Sequence, residues 1–193
     1  MSTTITPPTT AHWIRKLADS KFNYWAGYVA NLTLISWYVS HAFSGGALLL
    51  SPLRFVLVVV AAWFTWTLTE YVSHRWLYHV WNSPLTKGHG LHHEHPEGLL
   101  GLPWYIPMPV LIGLYYLFAS FLDAASVGLF LGVWWLGFVG YCFIHHSIHH
   151  FSFQNRWFKA LWRHHKVHHK MEGRNFGVTA IFWDRVFGTY HSK

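Results

Sequence analysis

The residues with the most chemistry to offer in this chain are its histidines. Seventeen occur among 193 residues, and fourteen of them lie in or beside four short groups. His74 and His79 form the first group. His89, His92 and His93 form the second, in Gly88-His89-Gly90-Leu91-His92-His93. The third block, His145-His146-Ser147-Ile148-His149-His150, offers His145 and His149; the fourth, His164-His165-Lys166-Val167-His168-His169, offers His165, His168 and His169. Neutral imidazole is the commonest metal ligand in proteins. Such density, in groups separated by hydrophobic sequence, predicts one polynuclear metal site assembled by the fold. His12, His41 and His191 stand apart and read as incidental.

Spacing refines this expectation. On a helix, residues three and four apart share a face, so His89, His92 and His93 are expected to converge, as are His165, His168 and His169, and the pair His145 and His149. His74 and His79, five apart, diverge by about 140° on an α-helix; the pair is expected to serve two neighbouring ions rather than chelate one. Ten imidazoles are too many for one ion and suit two ions of about five each, with a position left open on each. Spacing alone leaves open which imidazole serves which ion. Glu70, Tyr141, His150, His164 and Asp184 are candidates for orienting the ligands from behind. Glu70 could equally cap its helix, and for Asp184 a structural ion pair with Arg185 is the preferred reading.

The elements that must hold these residues are hydrophobic. The chain is 52% hydrophobic and 20% aromatic, with only 11% charged residues, where a soluble domain carries about a quarter. Four runs poor in charge, about Phe22–Phe43, Leu53–Thr69, Leu102–Leu122 and Ala124–Ile144, are each near the length needed to cross a bilayer. The expected fold is an all-α integral membrane protein: four transmembrane helices under a cytoplasmic, histidine-rich helical cap that holds a di-metal site. Residues 1–21 read as a polar cytoplasmic tail with an interfacial helix from about His12, and residues 22–193 as a single domain. If the N-terminus is cytoplasmic, 13 of the 14 Lys and Arg residues fall on that side, leaving Arg54 at the far interface. The formal charge of +7 therefore reflects topology, and no nucleic-acid partner is expected. The same topology puts all four histidine groups in the cytoplasm. Asn31-Leu32-Thr33 has the letters of a glycosylation sequon but falls inside a span. The single cysteine, Cys142, excludes an intramolecular disulfide. From Leu99 to Pro109, Leu102, Trp104 and Tyr105 are candidates for the lip of a substrate entry; the alternative is an ordinary helix-entry segment.

Longer motifs join these groups. Glu70-Tyr71-Val72-Ser73-His74-Arg75-Trp76-Leu77-Tyr78-His79, then His89-Gly90-Leu91-His92-His93, then Tyr141 with His145, His149 and His150, then His165-Lys166-Val167-His168-His169 run in order. Asn175-Phe176-Gly177-Val178-Thr179 and Trp183-Asp184-Arg185-Val186-Phe187-Gly188-Thr189 close the series. Together they resemble the membrane fatty acid hydroxylase/sterol desaturase superfamily, most of all its fatty acid 2-hydroxylase branch, over about residues 50–190. The resemblance implies a non-haem di-iron monooxygenase that uses O2 and external electrons to hydroxylate a lipid acyl chain at C2. Iron comes from the resemblance, since imidazole also accepts zinc. The branch has Asp where this chain has Cys142. No cytochrome b5 domain is read in the sequence, so the expected electron donor is a separate protein of cytochrome b5 or ferredoxin type. A sterol or carotenoid oxidase of the same superfamily is the sibling alternative, and a histidine-rich metal-binding or transport protein the alternative of another class. A transporter needs polar groups at mid-membrane, and these runs have almost none. A dinuclear zinc hydrolase fits the ligand type but lacks a visible nucleophile. A bacterial inner membrane is preferred over the endoplasmic reticulum.

Overall fold

The computed structural model describes residues 20–99 and 101–192; the polar tail and its expected helix near His12 lie outside the described residues. Among the described residues the chain is helical, with no strand. Helix α1 spans Lys21–Ser44, starting where the Ser20 hydroxyl accepts the Asn23 N–H and stopping at Gly45. Gly46 then adopts φ +92, a conformation that favours glycine. A short 3-10 turn, Ala47–Leu49, leads to α2, Pro52–Val72, which has Pro in its first turn and Ser51 as its cap. Without a break, α2 continues as a π-helical turn, Ser73–Tyr78. Helix α3 is Pro84–Glu94, capped by Ser83, and α4 is Pro107–Ala119. Helix α5, Ala124–His150, follows an Asp123 cap, and α6, Arg156–Lys170, an Asn155 cap. The short α7 covers Phe182–Val186.

Two of these helices are long and apolar enough to cross a membrane: α2 with its π-helical extension, and α5, each 27 residues. Helix α1 has 24 residues but is less apolar, with Asn23, Asn31 and His41 along it. The run expected to span from Leu102 becomes helical only at Pro107. Residues 103–106 form a turn instead, closed by the Ile106 N–H on the Pro103 carbonyl at 3.0 Å. Pro107 and Pro109 have no N–H to extend a helix backward. The large apolar side chains along α2 face outward: Leu53, Val56, Leu57, Val60, Trp63 and Phe64 are all exposed.

Small residues and buried polar links set the packing. A side chain at Gly128 of α5 would meet the Tyr38 carbonyl oxygen at 2.8 Å and the Ala42 nitrogen at 2.9 Å, so glycine lets α1 and α5 touch backbone to backbone. Gly137 makes the same room for the Trp66 ring of α2. The Tyr38 hydroxyl donates to the Leu111 carbonyl of α4 at 2.7 Å, and Trp135 Nε1 donates to Asn31 Oδ1 at 2.9 Å. Asn31 is thus occupied inside the bundle. Around these links pack Leu34, Tyr115, Val127 and Leu131.

Arg54 and Asp123 pair at 3.2 Å, so α2 and α5 start side by side and run parallel. Each of these 27-residue helices is about 40 Å long, against a hydrocarbon core of about 30 Å. Their final turns, carrying His74, His145 and His149, therefore end together beyond the apolar stretch. Helices α3 and α6 close over that end.

Candidate metal centre

The ten imidazoles gather as two groups of five. His74, His79, His89, His93 and His168 form one, here group A. His92, His145, His149, His165 and His169 form the other, group B. Within each group the available nitrogens all lie within 4.8 Å of one another. The groups adjoin, with His93 and His169 stacked at 4.3 Å between ring centres.

This division corrects the sequence reading at two points. His74 and His79 were expected to serve separate ions, yet both belong to group A. The reason is the π-helical turn between them, whose wider i→i+5 repeat carries residues five apart back towards one face. The i, i+3, i+4 triads were expected to converge, and each is instead divided. His89 with His93, and His165 with His169, stay together as i, i+4 pairs, while His92 and His168 cross to the other group. His145 and His149 stay together as expected.

The donor atoms fit a metal better than they fit hydrogen bonds. His165 Nε2 lies 3.0 Å from His145 Nε2, 3.0 Å from His149 Nε2 and 3.1 Å from His169 Nε2. A neutral ring nitrogen offers one proton or one lone pair, so it can satisfy one such neighbour and not three. His89 Nε2 similarly meets His74 Nε2 at 3.0 Å and His93 Nε2 at 3.1 Å, and His79 Nε2 meets His168 Nε2 at 3.1 Å. Two nitrogens each about 2.1 Å from one ion and at right angles lie about 3.0 Å apart. His92 Nε2 is buried with no hydrogen-bond partner. The donor set is therefore suited to metal, and both groups could hold an ion.

The protonation state agrees. Burial is the largest cause, with the neighbouring imidazoles adding to it, and together they push His79 down to about 4, His168 and His169 to about 3 and His92 to about 2. His89 and His165 are held well below the ordinary histidine range for the same reasons. Neutral imidazole is the form that binds metal.

The orienting candidates separate into distinct roles. Tyr141 stacks on His145 at 5.5 Å, and Tyr78, which the sequence did not single out, stacks on His89 at 5.2 Å. Glu70 touches no imidazole of either group. Its carboxyl accepts the N–H groups of Val178 and Thr179, at 2.7 and 2.8 Å, and the Thr179 hydroxyl. Asp184 is fully buried and bonds His164 at 2.9 Å rather than pairing with Arg185 as expected. Burial raises its pKa, but the hydrogen bonds from His164, Thr189 and Gly177 outweigh this and hold the carboxyl below its ordinary value. His164 stacks on Tyr190 and belongs to neither group. His150 is exposed, stacked on His146 at 4.1 Å, and also joins neither. Trp104 lines an apolar groove of about 930 Å³ between α1 and α4, while Leu102 and Tyr105 are exposed beside it.

Beside Tyr78, three further partners of the imidazoles went unforeseen. His74 Nδ1 donates to the Phe176 carbonyl at 2.5 Å, and His168 Nδ1 donates to the Arg174 carbonyl at 2.8 Å. Glu172 lies 3.8 Å from Nδ1 of both His79 and His93. Backbone carbonyls leave no mark in a sequence. Glu172, three residues past His169, could have been noticed as an acid beside a ligand block.

A model of the fatty acid hydroxylase family matches residues 59–189, a stretch that contains all ten histidines together with Glu70 and Asp184. The chain belongs to that family. It is 34% identical over 178 residues to the dihydroceramide fatty acyl 2-hydroxylase FAH1 of Arabidopsis thaliana, covering 86% of this chain and 73% of the relative. To FAH2 of the same plant it is 34% identical over 142 residues, covering 69% of this chain and 60% of the relative. The ceramide very long chain fatty acid hydroxylase SCS7 of Saccharomyces cerevisiae is 32% identical over 193 residues, covering 89% of this chain and 46% of the relative. The solved structure of full-length scs7p, in which only the hydroxylase domain is visible, superposes with a TM-score of 0.74 at 25% identity, covering 96% of this chain and 72% of that one. The family expected from the motifs is thus the family found.

Proposed function

We propose that this protein is a membrane-bound di-iron monooxygenase that hydroxylates a lipid acyl chain at C2, with a ceramide-type lipid as the first substrate to test. The observation that carries the reading is the pair of five-imidazole groups at the shared end of two membrane-length helices. The names of the relatives supply the acyl substrate and the carbon. In this reading His74, His79, His89, His93 and His168 hold one ion, and His92, His145, His149, His165 and His169 the other. Bound there, two iron ions would supply activation of O2, with two external electrons, towards an unactivated C–H bond. Zinc can occupy the same donors.

The chain's own residues supply the rest. Burial keeps the imidazoles neutral and aimed. The Phe176 ring lies 5.6 Å from the rings of both His79 and His168 and shields group A. Tyr78 and Tyr141 brace one ligand of each group. Helices α1, α2, α4 and α5 form four spans, with the turn at residues 103–106 completing the short α4 at its entry. The termini and histidines face the cytoplasm, where a separate donor of cytochrome b5 or ferredoxin type delivers electrons. Leu102, Trp104 and Tyr105 border the entry of the acyl chain, whose tail occupies the groove between α1 and α4.

The test is lipid mass spectrometry on cells that express the chain with an electron donor, beside a His92→Ala, His168→Ala double variant that removes one ligand from each group. Hydroxylated acyl chains, placed at C2 by fragmentation and lost in the variant, are the expected result. Unchanged acyl lipids together with an oxidised sterol or carotenoid would move the activity to the sibling class.

A further inference from the structure

The same observations reach beyond the ligands. We propose that residues 174–179 form a strap that fixes one of the two ions and not the other. Asp184 and Glu70 are then positioning residues, acting on that ion through the strap's backbone. The inference rests on the two-ion reading above.

An imidazole that binds metal through Nε2 keeps its proton on Nδ1, and the acceptor of that proton fixes both the tautomer and the plane of the ring. Two such bonds exist in the centre, His74 to the Phe176 carbonyl and His168 to the Arg174 carbonyl. Both belong to group A. Group B has no such bond among the described residues; a buried Nδ1 without a hydrogen bond occurs once in each group, at His93 in A and His165 in B.

A carbonyl can aim a ring only if its own peptide is held. The Phe176 C=O and the Gly177 N–H share one planar unit, and that N–H donates to Asp184 Oδ2 at 2.8 Å. Asp184 Oδ1 accepts the Phe176 N–H at 2.8 Å, so the peptides on both sides of Phe176 are gripped by one carboxyl. The Arg174 carbonyl is held the same way at one remove. Its peptide partner, the Asn175 N–H, donates to the Thr189 carbonyl at 3.1 Å. The Thr189 hydroxyl in turn donates to Asp184 Oδ1 at 2.7 Å. Glu70 takes the next two amides, of Val178 and Thr179, and joins the strap to the helix that carries His74. Asn175, at φ +56, donates to the His164 carbonyl at 3.2 Å and so joins it to α6. No side chain fits at Gly177, where a Cβ would strike the Ala180 carbonyl and lie 3.0 Å from Asp184 Oδ2. The strap therefore spans the two helices that supply His74 and His168.

Asp184→Asn places an amide where two N–H groups need an acceptor. The experiment loads the full chain, in detergent, with Zn(II), passes it over a desalting column with a mild chelator, and counts ions per chain while circular dichroism reports folding. Wild type should hold two ions and Asp184→Asn one, reflecting a 10- to 100-fold weakening at a single site, roughly the range for such supporting partners. Adding His79→Ala to Asp184→Asn should leave the count at one, because both act on group A. Adding His149→Ala should bring it to none. Glu70→Gln, a milder change, should shift the same ion in the same direction and serves if the Asp184 variant does not fold. Two ions retained with unchanged affinity in the folded variants, equal weakening of both ions, or loss in the reverse pairing pattern would overturn the strap. A wild type that never holds two ions would overturn the two-ion reading, and this inference with it.

Discussion

Groups A and B have the same number and kind of donors, yet their surroundings differ. Behind group A stand two carbonyls, the Phe176 ring and, 3.8 Å from two of its rings, a carboxylate. Behind group B stands Tyr141, stacked on His145, and among the described residues no carbonyl accepts from its rings; each group also keeps one buried Nδ1 without a hydrogen bond, His93 in A and His165 in B. Five imidazoles in reach of one point do not define a metal site by themselves. What holds each ring in plane decides how firmly an ion stays, and here that support is given to one group. We expect a tightly held ion beside a more labile one.

The largest effect expected is on activity. His165→Ala removes the nitrogen that three others face in group B and should lower hydroxylated lipid by more than about 100-fold, beyond the loss typical of an outer partner. Its metal count should fall from two to one. A loss of both ions would break the comparison, because the groups would then depend on each other. Next in size is the order of metal removal. Titrating the loaded protein with a chelator should release two ions in separate steps, with affinities severalfold apart, and His149→Ala should erase the weaker step. A single step would mean that the supports behind group A add nothing.

A third expectation concerns acid. In the folded, metal-free protein His79 is held near 4 and His168 and His169 near 3, whereas in the unfolded chain they take protons below about 6.5. The unfolded state then binds more protons, so stability is full above about 6.5 and falls as pH drops below it. The melting temperature of metal-free protein should therefore fall between pH 7.5 and 5.5, and bound metal should leave the slope at least as steep, because ligated rings take no proton until the ion leaves. An apo protein whose melting is insensitive to pH across that range would show that these rings are not neutral when folded. The smallest effect is at Glu172, which is 64% exposed and 3.8 Å from its partners. Glu172→Gln should change retention of the group A ion less than about threefold, in line with the weakness of exposed charge pairs. A larger change would make it a third support.

Much of the centre was legible because i, i+4 spacing is a geometric fact. The pairs His89/His93, His145/His149 and His165/His169 each stay in one group. What spacing could not give was the destination of the third member. His92 lies about 100° around the helix from His93, and only the position of the facing helices decides that it reaches group B. The π-helical turn that reunites His74 with His79 has no compositional sign in Ser73–Tyr78. The strap was visible only as Asn175-Phe176-Gly177-Val178-Thr179, a pattern of letters, because its work is done by backbone atoms. The two membrane-length helices, α2 and α5, were legible from their lack of charge, and the short α4 departs from expectation because Pro103, Pro107 and Pro109 deny amides to its start.

Glu70 and Val178 are joined by a hydrogen bond although 108 residues separate them in the chain. During synthesis α2 therefore enters the bilayer long before its partner amides have left the ribosome. Until they arrive, an acidic side chain near the end of a membrane helix has only water and lipid headgroups for company. The amides that satisfy it belong to the same segment that holds His74 and His168 in line. In a half-made chain His74 and His168 therefore lack the carbonyls that hold their rings, and closing the strap over Glu70 brings those supports into place.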